Sequence, residues 1–392
     1  MFKKNFIILT IIVSISGLTQ GMLLPLIAII FERDDVPSFI NGLHASSLYI
    51  GVFLASLFLE GLLRRTGYKN LVVIGALIIV LSMSLFPLYK NMTFWFILRL
   101  LVGIGDNMLH FSTQSWLTET TPKHKLGRII SLYGLSFSLG FMAGPLLAKL
   151  YEVHESLPFL MSAIFTLCAS GLVFMLKNEF PEDNTANISF RTTTINFGKV
   201  MKTSWVAFLF PMMYGVLEAC LNSNFPVFAM KQDIPVNLII MILPAFSLGA
   251  ILFQVPLGML SDRMNRNLLL VAVTSIGAVI FILCQLLSHS GYLLIALFFI
   301  AGIFVGSMYS LGVTLMTEIT PKRLLPAGNL MCGLIFSIGS IFGPIFGGLV
   351  IQLSSNTQFF SYIAFILLAI SCATFYDYKQ RHQNKYNAVK SP

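Results

Sequence analysis

The stretch Thr118-Glu119-Thr120-Thr121-Pro122-Lys123 returns as Thr317-Glu318-Ile319-Thr320-Pro321-Lys322, 199 residues later. The register holds outward from it in both directions. Downstream, Leu126 matches Leu325, Gly134 matches Gly333, Phe137 matches Phe336, Gly140 matches Gly339, and Gly144-Pro145 matches Gly343-Pro344. Upstream, Gly103-Ile104 matches Gly302-Ile303. Shared hydrophobicity alone would not reproduce a polar Thr-Glu-x-Thr-Pro-Lys turn at one fixed offset. The chain is therefore an internal duplication.

Composition says what is duplicated. Of 392 residues, 56% are hydrophobic and only 10% are charged, whereas a soluble globular protein carries roughly 25% charged residues. Lipid must be the solvent for most of this chain. Apolar runs of about 20 residues, the length needed to cross roughly 30 Å of hydrocarbon, fall near 6–30, 41–63, 71–89, 93–117, 128–150, 157–176, 204–229, 237–260, 268–288, 291–316, 327–351 and 357–376. The expectation is an all-α membrane protein of twelve transmembrane helices in two pseudo-symmetric six-helix bundles. The first bundle covers 1–176 and the second 204–376. Residues 177–203, with Pro181, Glu182, Asp183 and Asn184, read as a linker, and 377–392 as a tail.

A net charge of +9 by itself would suit a nucleic-acid partner, but the charges are sorted by loop. Lys3, Lys4, Arg64, Arg65, Lys69, Lys123, Lys125, Arg128, Lys177, Arg263, Arg266, Lys322 and Arg323 share one side; Arg33, Lys90, Lys149 and Lys231 stand on the other beside Glu32, Asp34, Asp35, Glu152, Glu155 and Asp233. The positive-inside rule then places both termini and the linker in the cytoplasm of a plasma-membrane protein. The basic balance reports topology, with the bilayer and not nucleic acid as partner. The first apolar run is long, and Gly17, Gln20 and Pro25 suit a retained helix better than a cleaved leader. Cys168, Cys220, Cys284, Cys332 and Cys372 sit singly inside spans, with neither metal nor disulfide spacing. No metal and no cofactor are expected, and a monomer is the expected state.

Three motifs carry further information. Gly258-Met-Leu-Ser-Asp262-Arg263-Met-Asn265-Arg266 follows the eighth run. Its Gly allows close helix approach, and Asp262 at a helix end can face the positive end of a neighbouring helix. Arg263 and Arg266 stay in water and can pair with carboxylates such as Glu318. Asn265 is expected to take a left-handed turn. The first-half counterpart is Glu60-Gly-Leu-Leu-Arg64-Arg65-Thr-Gly67, where Arg64 replaces the aspartate and Glu119 is the candidate partner of Arg64 or Arg65. Arg99-x-x-x-Gly103-x-Gly105 lies in the fourth run. Gly140-x-x-x-Gly144-Pro145 lies in the fifth, and its fuller form Gly339-x-x-x-Gly343-Pro344-x-x-Gly347-Gly348 in the eleventh. Small residues four apart let helices pack closely. Topology alone would also explain the loop charges, and plain packing the glycines.

Together these elements resemble the major facilitator superfamily over nearly the whole chain. The loop at Asp262 is similar to its G-x-x-x-D-R-x-G-R loop, with Asn265 for the later Gly. The fifth-run motif is similar to that of its drug/proton antiporter branch, although Ala148-Lys149 stands where that branch has a Gly pair. The resemblance implies a secondary transporter with no enzymatic activity. An even number of spans per copy gives both halves one orientation, and two facing halves give a cavity and alternating access. No Gly-x-x-x-x-Gly-Lys-Ser/Thr loop is present to take ATP. Proton-coupled efflux of an amphipathic small molecule is the expectation, with uptake of a metabolite as the alternative. An integral membrane enzyme or a sensor is the remaining alternative. It would need a nucleophile–base pair or an output domain that the chain does not supply.

Ionisable groups at membrane depth are functional candidates because burial there costs several kcal/mol. They are Arg99, Asp106, His110 and Glu218. Asp106 and His110 lie four apart on one helix face, Gln114 continues that face, and Arg99 lies about 10 Å along the axis. The second copy has Phe298, Val305, Tyr309 and Val313 instead, so the shared fold does not demand the polarity. Glu218 falls midway along the seventh run, with Tyr214, Asn222 and Asn224 near it and Gln20 at its counterpart 198 residues earlier. It suits proton coupling or cation recognition, and Asp106 is its rival. Each of these groups also admits a purely structural reading, as an ion pair or a hydrogen-bonded neutral acid between helices.

Overall fold

In hydrocarbon, a backbone satisfies its own polar groups only as helix or closed barrel. Long apolar runs of this kind therefore become helices. The computed structural model describes residues 2–181, 190–354 and 358–390; Glu182, Asp183 and Asn184 of the expected linker lie outside these residues. Every regular element among the described residues is helical. Among the described residues, twelve helices are long and apolar enough to span. The first six are Lys4–Arg33, Ser38–Ser56, Tyr68–Leu88, Met92–Thr120, Arg128–Glu152 and Leu157–Met175. The last six are Ile195–Lys231, Val236–Arg263, Arg266–Leu286, Gly291–Ile319, Ala327–Leu353 and Phe359–Gln380. They fall into two compact units: Met1–Asn184 with Asn222–Val227, and Thr185–Leu221 with Phe228–Pro392.

Within the first unit, the first span packs on the fifth, the second on the fourth, and the third on the fourth and sixth. Glycines set how near these helices come. A Cβ on Gly140 would strike the Ser14 carbonyl, and one on Gly103 the Leu48 carbonyl. The second unit repeats both crossings at the repeat offset: Gly339 meets the Met212 carbonyl and Gly302 the Phe246 carbonyl. The duplication thus extends to single backbone contacts. Gly144 packs on Gly21, and Gly343 on Val216. Pro145 and Pro344 lie inside their helices. Gly258 has open space where a Cβ would stand.

Three helices depart from the apolar pattern. The second span ends at Ser56 and not near 63, because the helix breaks at Phe58 (φ −124°, ψ −6°). A separate helix, Leu59–Thr66, follows and carries Glu60, Arg64 and Arg65; its charges belong at an interface, not in hydrocarbon. The helix of the seventh span begins at Phe190, inside the 177–203 segment, and kinks at Ser204 (φ −129°, ψ 21°). There the Ser204 hydroxyl meets Thr320 Oγ1 at 2.7 Å, so the kink is held by the second copy of the opening turn. The tenth span breaks between Val305 and Met308, whereas the fourth runs unbroken from Met92 to Thr120. At the tail, the last helix continues to Lys390.

Candidate functional site

The ionisable groups of the first unit fall into two clusters along the fourth span. Asp106 is buried and accepts hydrogen bonds from the Ser16 hydroxyl and the Gln20 amide of the first span. The close first–fourth–fifth packing presents those two side chains, four apart on one helix face, to the carboxylate. One turn on, His110 places Nε2 3.9 Å from Asp106 Oδ2, and Nδ1 3.1 Å from the Tyr133 hydroxyl of the fifth span. Tyr133 reaches Thr113 Oγ1 at 2.8 Å. Phe137 meets the His110 ring edge-on at 4.8 Å. Gln114, the next position on the stripe, is exposed.

Arg99 belongs to a different cluster. Its side chain turns to the second span, where Nη1 lies 3.3 Å from His44 Nδ1. His44 Nε2 is 3.1 Å from the Met92 carbonyl, so it donates there and Nδ1 accepts from Arg99. Phe31 and Phe96 close over the His44 ring edge-on. Arg99 is fully buried, and among the described residues its Nε and Nη2 have no hydrogen-bond acceptor. The expected single stripe from Arg99 to Gln114 is therefore divided between two neighbouring helices.

In the second unit, Glu218 is partly exposed, with Tyr214 one turn before it on the same face. Tyr214, Tyr309 and Phe336 form an aromatic cluster with ring centroids 5.7–6.2 Å apart. Further along the same helix, in the stretch Asn222–Val227 that belongs to the first unit, Asn222 and Asn224 are buried. The repeat aligns these groups with the first cluster. Ser16, Gln20, Asp106, His110 and Phe137 correspond to Tyr214, Glu218, Val305, Tyr309 and Phe336. Tyr309 meets Phe336 edge-on at 87°, as His110 meets Phe137 at 80°. The two units carry one carboxylate each at this set of positions, but on different helices.

At the helix ends, Arg266 pairs with Asp262 at 3.1 Å and Glu318 at 2.7 Å and donates from Nε to Ser261 Oγ at 2.7 Å. Glu318 thus engages Arg266, while Arg263 is exposed. Asn265 does not take the expected left-handed turn. Its φ is −63°, and its side chain caps the ninth span by accepting from the amides of Asn267 and Leu268. A helix start needs that acceptor, and a glycine there would not supply it. In the first unit, Gly67 does hold a positive φ of 80°. Arg64 pairs with Glu60 at 3.0 Å, Glu119 bonds the Tyr68 hydroxyl, and Arg65 is exposed. At the opposite ends, Lys90 grips Asp34 at 2.6 Å. Partial burial acts to lower the Lys90 pKa, but the hydrogen bond and charge of Asp34 outweigh it and raise the pKa above the ordinary lysine value.

Ser16, His44 and Tyr133 are the partners that the sequence reading missed. His44 satisfies the same membrane-depth rule as the others, three residues inside the expected second run. Ser16 and Tyr133 carried no charge to flag them.

The family model described as Major Facilitator Superfamily matches residues 9–231 and again 207–391. The uncharacterized MFS-type transporter YfkF of Bacillus subtilis (strain 168) is 46% identical over 370 residues, covering 94% of each chain. Multidrug resistance protein 1 of the same organism is 28% identical over 396 residues, covering 95% of this chain and 96% of its own. Among solved structures, the nucleoside transporter NupG aligns with a TM-score of 0.77 at 14% identity, over 96% of this chain and 98% of its own. The D-xylose-proton symporter aligns with a TM-score of 0.72 at 14% identity, over 94% and 97%.

Proposed function

We propose, from the premise that this chain belongs to the Major Facilitator Superfamily and is a multi-pass membrane transporter of small molecules, that it exports an amphipathic or cationic compound in exchange for protons by alternating access. One observation carries this reading: Asp106 on the fourth span and Glu218 on the seventh lie deep within their spans, whereas acids such as Glu32, Glu119, Asp262 and Glu318 sit at span ends. A carboxyl that is costly as an anion at that depth suits a proton or a cationic cargo. Glu218 is the leading group for one of these roles and Asp106 its rival. The Tyr214–Tyr309–Phe336 cluster beside Glu218 offers ring faces to a lipophilic cation. The likeness to Multidrug resistance protein 1 agrees with export.

A second reading, uptake of an anionic metabolite, is favoured by Arg99. A buried guanidinium with two donors lacking an acceptor has the chemistry to bind a carboxylate or phosphate. Transport into proteoliposomes under an imposed pH gradient, with a panel of lipophilic cations and anionic metabolites, separates the two. Deletion-strain sensitivity to the cations, against growth on single nutrients, gives the cellular counterpart. We further place the chain in the plasma membrane as a monomer, with both termini and the 177–203 segment cytoplasmic. A periplasm-active reporter fused to the C-terminus should stay silent, and activity there would reverse the topology.

A further inference from the structure

The hydrogen bonds around His110 can be assigned one by one, and the assignment has a consequence for Asp106. The Thr113 hydroxyl has one proton. Its shortest acceptor is the Leu109 carbonyl at 2.7 Å. Thr113 Oγ1 must then accept from the Tyr133 hydroxyl, 2.8 Å away. When all three of these shortest contacts are made at once, rather than the longer 3.3 Å bond from the Tyr133 hydroxyl to the His110 carbonyl, the Tyr133 oxygen accepts from His110 Nδ1, at 3.1 Å. A neutral imidazole carries one N–H, so His110 Nε2 is left bare. That nitrogen is buried, makes no hydrogen bond among the described residues, and lies 3.9 Å from Asp106 Oδ2. Two lone pairs would face each other across this gap if Asp106 were ionised and His110 neutral. A single proton removes the conflict, on either the carboxyl or the imidazole.

We propose that Asp106 and His110 together form a site for one proton, with Tyr133 as the positioning residue that fixes its tautomer. Its use in transport rests on the proton-coupled reading above; its existence does not. The neighbours agree. From the first span, Ser16 and Gln20 donate to Asp106 and carry no charge. From the fifth, Tyr133 and Phe137 face His110. The charge acting on His110 is Asp106, and the groups acting on Asp106 are His110, Ser16 and Gln20. The pair therefore takes up and releases its proton without a competing lysine, arginine or second carboxylate among these neighbours.

The test needs no cargo. Infrared difference spectra of the full chain in liposomes are recorded across a pH titration. Wild type should show a carboxyl band and an imidazole band moving together with shared midpoints, as coupled groups do. Asp106→Asn should remove that carboxyl band while Glu218→Gln leaves it in place. Tyr133→Phe should keep both bands and shift the midpoint by about one unit or more, and His110→Gln should uncouple the carboxyl band. A carboxyl band surviving Asp106→Asn, or midpoints unmoved in Tyr133→Phe, overturns the proposal. Should Asp106→Asn not fold, the His110→Gln and Tyr133→Phe spectra decide the matter. Loss of pH-driven transport in wild type would sink the coupling reading while leaving these spectra intact.

Discussion

In the first unit, position 110 is a histidine set edge-on to Phe137; in the second, position 309 is a tyrosine set edge-on to Phe336. Around that shared contact the chemistry changes sides. The first unit keeps its carboxylate on the fourth span and an amide, Gln20, on the first. The second keeps its carboxylate on the seventh span, at the Gln20 counterpart, and has Val305 where Asp106 would be. Duplication fixed the backbone crossings and left the side chains at them free to diverge. The units differ most at the polar side chains of membrane depth, and least where two backbones touch.

Perturbing both units in parallel sharpens this contrast. On stability, the largest effect should fall on the shared crossings. Gly140→Leu and Gly339→Leu each drive a side chain into a facing carbonyl, and each should cost about 1–3 kcal/mol. Thermal unfolding of the purified protein should give similar losses for the two; a loss confined to one unit would break the symmetry argument. Next comes Gly67→Ala, where the positive φ and the Asn178 side chain both oppose a Cβ, at about 1–3 kcal/mol. Its counterpart region starts its helix with a cap instead, so Asn265→Ala should cost about 1 kcal/mol and Asn265→Gly less. An Asn265→Gly variant more stable than wild type would contradict the capping assignment.

Fold was legible in the sequence because its signals are physical and local. Apolar run length set the spans, and the polar Thr118 and Thr317 turns set the repeat. The ends were less legible. Leu57 and Phe58 are apolar, so hydropathy ran on through the break after Ser56, and only the backbone reveals the separate helix. Asn265 looked like a substitute for glycine because sequence does not distinguish a left-handed residue from a cap. Of the site, the charged members Arg99, Asp106, His110 and Glu218 announced themselves. Their partners Ser16 and Tyr133 did not, since uncharged hydroxyls inside helices are common and acquire meaning only through what they face. Helical periodicity placed Arg99 and Asp106 on one stripe, but a long guanidinium reaches sideways to His44, beyond what spacing encodes.

The smallest expected effect lies at the Lys90–Asp34 pair. Both side chains are substantially exposed, 48% and 40%, so Lys90→Ala should cost no more than about 1 kcal/mol. The sign of its pH dependence is fixed. The folded Lys90 pKa is raised, so its contribution is full below the unfolded lysine value and fades as pH rises through the folded one. Stability curves of wild type and Lys90→Ala should therefore be separated near neutral pH and converge at strongly alkaline pH; curves that stay apart there would contradict the pairing.

The most direct test of the central claim compares wild type and Glu218→Gln in proteoliposomes under an imposed pH gradient, with the lipophilic cation tetraphenylphosphonium among the cargo panel. Wild type should show gradient-driven transport, and Glu218→Gln should lose at least about tenfold of it, equivalent to one pKa unit of coupling energy. Full pH-driven transport by Glu218→Gln, or no response of wild-type transport to the gradient, would contradict it.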